Sequence, residues 1–234
     1  DGFRGMKVRW NYKLRNPNNR PVHLAGCEWK IRLDSKEGQG GSAGEAQDVA
    51  AGGSAAVAVE YRVPWAGREK LLEFLARKRL PYVLELECAV TSGTERLVAK
   101  AGDSGSLPLP RVPGMKVGGA NAERFSDGRF RINFELTVTN ENPFAVKVRT
   151  IEYRILVEGR QLADGRIVVE EEILPHAEVV YEISSGMLSP RDDPANRELL
   201  EKTELQYRLE GKVQYPEFEV PVSDEGVVKF PRLR

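Results

Sequence analysis

The sequence predicts an all-β protein: two antiparallel β-sandwiches in tandem, each carrying one short helix. Three observations predict it. Short runs alternate apolar and polar residues with period two, which marks half-buried strands. A helical pattern occurs only once in each half, and an internal repeat keeps its order along the chain. Units of about 115 residues are large enough for a sandwich with its own core.

In the first half, Val8, Trp10, Tyr12 and Leu14 alternate with polar residues and stop at Asn16-Pro17. The residue before Pro is pushed out of the helical region, and Asn bonds its own backbone in turns, so this pair reads as a corner between strands. Trp29, Ile31 and Leu33 form the next strand, with Cys27 in phase and therefore inward. The glycine-rich stretch from Glu37 to Ser54 reads as a flexible inter-strand loop. It lacks Gly-Lys-Ser/Thr and leads into a strand, whereas phosphate cradles lead into helices. That strand carries Val57, Val59, Tyr61 and Val63. A helix follows, with Leu71, Leu72, Phe74 and Leu75 on one side and charge on the other. Tyr82 to Val90 is again a strand, with Cys88 in phase with Leu84, Leu86 and Val90. "GSLPLPR" from Gly105 closes the half where Pro ends pairing.

The second half repeats these words. Asn142-Pro143 lies 126 positions after Asn16-Pro17, and Tyr153, Ile155 and Val157 answer Trp29, Ile31 and Leu33 at 124. "LQYRLEGKV" from Leu205 answers "YVLELECAV" at 123, and "GVVKFPR" from Gly226 answers "GSLPLPR" at 121. Phe130, Ile132, Phe134, Leu136 and Val138 precede the corner; Val179, Tyr181 and Ile183 follow it. Asp193 before Pro194 starts a helix with Leu199 and Leu200 inward. On this alignment Ile151 and Gly211 stand in the places of Cys27 and Cys88. Joint absence is the pattern of a bonded pair, and two separately buried thiols fit the same inward phasing. Pro and Gly punctuate Arg111 to Gly114, giving units 1–112 and 113–234. The second unit opens with an extra segment, "MKVGGANAERFSDG", where the first has only "DG", so the first unit is expected to lack its first strand.

Composition narrows the function. Of 234 residues, 41% are apolar and 30% charged, and 35 basic residues balance 35 acidic ones. Nucleic-acid binders carry a basic excess, so that class is disfavoured. No apolar run approaches the roughly 18 residues of a membrane helix. The opening "DGFRGMKVRW" has no initiator Met and no signal pattern; any leader or anchor is expected ahead of it. His23 and His176 have no ligand-spaced partners and read as surface loop residues. No nucleophile elbow, Walker loop or His-Glu-x-x-His helix appears, so no catalytic residue, metal or cofactor is assigned. Glu170 to Glu172 read as a solvated strand edge, and Arg77, Lys78 and Arg79 as cations at a helix C-terminus. One apolar ligand site is a candidate: Trp65, Leu71, Leu72, Phe74 and Leu75, as a crevice between helix and sheet.

Strand, Asn-Pro, then "EWKIRLD" or "EYRILVEG" resembles the type-2 late embryogenesis abundant proteins, also called the water stress and hypersensitive response (WHy) domain. Gly159 follows the acidic residue in the second copy, where the first has Ser35. The resemblance covers both halves. It implies a fibronectin- or immunoglobulin-like sandwich and a non-enzymatic role in stress protection or at the cell envelope. The implied partners are a lipid or membrane surface or another envelope protein, with a secreted lipoprotein as one form and a cytoplasmic protectant as the alternative.

Overall fold

The computed structural model describes residues 2–36, 38–65 and 71–230. The chain forms two compact units, Phe3–Pro110 and Arg111–Arg234, and every strand pair among the described residues is antiparallel.

In the first unit β1 (Gly5–Arg15) is followed by β2 (Val22–Leu33), β3 (Gly40–Ala43), β4 (Gln47–Val49), β5 (Ser54–Pro64), the helix α1 (Leu71–Ala76), β6 (Arg79–Ser92) and β7 (Glu95–Pro108). One sheet is β1–β5; the other runs β3-β2-β6-β7, with β4 also on β2. Alternate residues of β2, β5 and β6 are buried, as period-two side chains require when one face meets another sheet. Trp10 of β1 meets Tyr82 of β6 at 5.3 Å, and Trp29 of β2 meets Tyr61 of β5 at 5.8 Å, so aromatic pairs hold the two layers. Leu24 and Cys27 are both buried despite their odd spacing. A bulge between Leu24 and Gly26 inserts one residue and restores the phase. Cys27 lies directly opposite Cys88, and the two are bonded.

The glycine-rich stretch is not a flexible loop. It supplies β3 and β4, which extend β2 at its edge. Glycine is what this edge needs, because a Cβ on Gly41 would stand 2.9 Å from the Trp29 indole, which lies across it.

The second unit contains β8 (Gly114–Arg124), β9 (Phe130–Thr139), β10 (Val146–Lys147), β11 (Thr150–Val157), β12 (Arg160–Val168), β13 (Glu172–Ile173), β14 (Glu178–Ser184), α2 (Pro194–Glu201), β15 (Glu204–Gln214) and β16 (Glu219–Lys229). Its sheets are β14-β9-β8 and β12-β11-β15-β16, with β10 and β13 as a small ribbon. Asp193 caps α2, accepting from the Ala195 N–H at 2.9 Å, with Pro194 in the first turn and Leu199 buried.

Hydrogen bonds correct the sequence alignment in two places. The counterpart of Asn16 is Asn140, not Asn142, because both make the same set of bonds described below. In the later strands Tyr82 and Tyr207 each oppose a glycine, Gly105 and Gly226, and each donates to an aspartate, Asp103 and Asp224. Tyr82 therefore matches Tyr207, an offset two residues longer than the one read from sequence. Cys88 then matches Val213, not Gly211, and Ile151 opposite Val213 replaces the disulfide with an aliphatic pair. A slip of two leaves every side chain on its own face, so periodicity could not detect it.

Candidate binding groove of the first unit

Where β1 ends, Asn16 turns inward and is only 4% exposed. Its Nδ2 donates to the carbonyls of Arg20, Val49 and Ala50 at 2.9, 3.1 and 3.0 Å, and its Oδ1 accepts the Asn18 N–H at 3.1 Å. One short amide thus ties β1, the following turn and the end of β4 together, satisfying backbone groups that the corner would leave unpaired. Asn140 repeats this on Phe144, Ile173 and Leu174 at 2.9, 3.0 and 3.0 Å, with the Asn142 N–H returning at 3.0 Å. Asn142 does something else: its amide donates to the Arg111 carbonyl and accepts the Arg111 N–H, both at 2.7 Å.

In the first unit this corner forms one wall of an apolar groove of about 340 Å³. Asn16, Pro17 and Asn18 border it, and Leu14, Val22, Leu24, Val49, Val90, Leu97, Val98 and Ala99 supply its lining. The volume is at the lower end of the range, about 300–1,000 Å³, of small-molecule sites. Leu97 and Val98 are 50% and 59% exposed. In the register that matches Gly105 with Gly226, their counterparts in the second unit are Phe218, half-buried, and Glu219, exposed. Val90 of the groove is matched there by Tyr215, which is 2% exposed and stacks on Phe218 at 4.9 Å, so two aromatic rings stand where the first unit has two aliphatic side chains. The second unit also has β8, which pairs with β9 on the side away from β14 with Met115 and Val117 buried, whereas β1 has β5 as its one strand partner among the described residues.

The same difference sets the electrostatics farther along. Tyr82 donates to Asp103 at 2.7 Å at a half-open site. Its counterpart Tyr207 donates to Asp224 at 2.6 Å under cover of β8. There, burial first and the Asp224 carboxylate second push the phenol up to about 12, against a smaller opposing contact from the Val117 backbone. Tyr12, on β1 beside the open edge, has a buried hydroxyl without a hydrogen-bond partner among the described residues. Burial, then Asp103 and Tyr82, raise its pKa.

The sequence-chosen apolar residues lie elsewhere. Trp65 is fully buried, its ring 5.6 Å from Phe74, and Phe74 and Leu75 are buried in the core. Leu71 and Leu72 are half-buried, and the segment 66–70 lies outside the described residues. His23 meets Asp48 at 2.8 Å on the surface. His176 occupies a left-handed turn position, φ 53°, whose counterpart is Gly52. Arg77 pairs with Asp34 through both guanidinium ends, at 2.5 and 2.6 Å. Glu172 lies in β13, whose Ile173 is buried. Among the described residues no group of three acidic, His or Cys side chains could hold a metal, and no helix is long and apolar enough to cross a membrane.

Leu97 and Val98 were missed by the sequence reading. The available signal was three consecutive apolar residues, Leu97, Val98 and Ala99, a break in the period-two pattern.

The fold is similar to that of a protein from Archaeoglobus fulgidus (16% identity, covering 51% of this chain and 98% of that one, TM-score 0.30). It is also similar to the Pseudomonas aeruginosa CupB2 chaperone (10% identity, 95% and 93% covered, TM-score 0.26). A third likeness is to a calcium-binding mutant of Bacteroides uniformis beta-glucuronidase 2 (11% identity, 97% of this chain but 27% of that one, TM-score 0.33). Likenesses this distant say nothing of what the present chain does. No curated protein matches the sequence. In the second unit, from β9 to β16, residues 135–226 match the family model described as Late embryogenesis abundant protein.

Proposed function

We propose that the chain is a non-catalytic stress-protection protein of the late embryogenesis abundant kind, built from two WHy-like units, that binds an apolar group of a partner or surface in the groove of its first unit. The observation that carries this is the groove itself: an apolar hollow in the first unit, lined by Val90 and Leu97 where the second unit has the stacked rings of Tyr215 and Phe218. Contiguous exposed apolar surface of this kind marks interaction sites. The match over residues 135–226 supports the protective role. The Cys27–Cys88 bond supports an oxidising compartment, hence the periplasm or an anchored position at the envelope, because cytosolic thiols are kept reduced.

The test uses the full chain and a fluorescent fatty acid. Saturable binding is expected, with loss in Leu97→Asp and Val98→Asp. Both residues are exposed, so these variants retain the fold. Binding that never saturates, or that both variants keep, refutes the groove as the site.

A further inference from the structure

We propose that the outer edge of β1, together with the groove beneath it, accepts an extended polypeptide strand from a partner protein, aliphatic on its inward face and acidic on its outward face. This rests on reading the groove as a binding site and names what enters it.

The second unit shows the occupied form. There β8 lies antiparallel to β9, with Met115 opposite Val138, Val117 opposite Leu136 and Ala120 opposite Phe134. Those three β9 residues correspond to Leu14, Tyr12 and Trp10 of β1, which have β5 on one side and no strand on the other among the described residues. A bare edge of this length presents a row of backbone donors and acceptors, the usual template for strand addition. A strand laid there as β8 is laid would put aliphatic side chains over the groove at Leu14 and a small one opposite the larger Trp10. It would also bring backbone to Tyr82 as Val117 comes to Tyr207.

Charge selects among possible strands. The outward side chains of β1 are Lys7, Arg9, Asn11, Lys13 and Arg15, all exposed. Glu60 of β5 reaches Lys7 at 2.7 Å and Arg9 at 3.6 Å, on the side already paired. A second copy of this chain adding β1 to β1 would set two cationic rows against each other, which is unfavourable for cross-strand pairs. An acidic strand is favoured, and the second unit displays the contact: Glu123 of β8 reaches across to Arg131 of β9 at 2.7 Å.

The experiment uses an 11-residue fluorescent peptide in the β8 frame, Gly114–Arg124, carrying Lys116→Glu and Asn121→Glu, added to the full chain. Fluorescence anisotropy should show saturable one-to-one binding. It should weaken about tenfold or more when the peptide carries Met115→Asp and Val117→Asp, or when the chain carries Lys13→Glu and Arg15→Glu, and again at about 0.5 M salt. Hydrogen exchange should slow along residues 6–15. Absence of binding, or binding indifferent to these changes, overturns the proposal. So does self-association of the chain that excludes the peptide, or a longer natural chain in which residues ahead of Asp1 already protect β1. If the peptide fails while the fatty acid still binds and Leu97→Asp abolishes it, the strand is refuted and the groove stands. Loss of both refutes both.

Discussion

Replacing Asn16 by Asp exchanges an NH₂ group for an oxygen at a point surrounded by three carbonyls, those of Arg20, Val49 and Ala50. The two amide hydrogens and the Oδ1 acceptor amount to about three hydrogen bonds, each worth about 1 kcal/mol net, and more where a buried group is left alone. Asn16→Ala should therefore cost the first unit about 3 kcal/mol. Asn16→Asp should cost about 4–5 kcal/mol, since it adds a desolvated charge facing carbonyl oxygens. The three tryptophans, Trp10, Trp29 and Trp65, all lie in the first unit, so tryptophan fluorescence follows that unit during urea unfolding. With a slope of about 2 kcal/mol per molar, the midpoint falls by about 1.5 M for Ala and about 2 M or more for Asp. The pH dependence has a definite sign. A carboxyl buried against three carbonyls, with the Asn18 N–H as its one donor, has a folded pKa above its unfolded value of about 3.9, so the native state binds more protons between the two. The extra deficit of Asp over Ala is then full above the folded pKa and disappears as the pH falls toward about 4. Equal midpoints for Ala and Asp at pH 7, or either within about 0.5 kcal/mol of the parent, would refute the plug.

Two further outcomes follow from the structure. The Cys27–Cys88 bond closes a separation of 61 residues, for which the chain-entropy relation gives about 4 kcal/mol, so reduction should lower the fluorescence-detected midpoint strongly. Thiol titration of the unreduced, unfolded protein should find no free thiol, and finding two would remove the bond. The Tyr207 phenol, pushed up to about 12 in the fold from the about 10 of a free phenol, contributes stability that is whole below about pH 10 and is lost as the pH rises toward 12. Tyr207→Phe should flatten that alkaline decline in circular dichroism, and an unchanged decline would show that Tyr207 is not its source.

The two units and their strands were legible because burial on one face imposes period two, and the helix start was legible because Asp193 and Pro194 have a direct capping role. The corner was found through its prolines, and this misled the alignment. Pro17 and Pro143 occupy different places in the turn, while the residue that fastens it is the asparagine at its first position, Asn16 or Asn140. Nothing in a linear pattern says which of two asparagines turns inward. The glycine-rich stretch was misread because glycine signals both looseness and close approach, and the decision belongs to Trp29, a distant residue. The groove was hidden for a different reason. It depends on Val90 and Leu97 standing where the other unit has the rings of Tyr215 and Phe218, so its apolar lining looks in sequence like any other core.

The pairing of β2 with β6, and of β11 with β15, has a consequence for how each unit arrives at its final form. A two-residue shift would preserve the inward set in both, so something else must select the native pairing. In the second unit the selection is steric: Tyr153 stands between Gly165 and Gly211, and a Cβ on Gly211 would lie 2.1 Å from the Glu152 carbonyl oxygen. Shifted by two, β15 would present Leu209 or Val213 at that spot, so misregistration is rejected as the strands meet. In the first unit Trp29 and Leu86 stand in the place of Tyr153 and Gly211, and the register is instead locked two residues along by a covalent bond between facing cysteines, which forms only when an oxidant acts. The second unit can thus complete itself from its own shape in any surroundings, while the first retains a chemical record of where it matured.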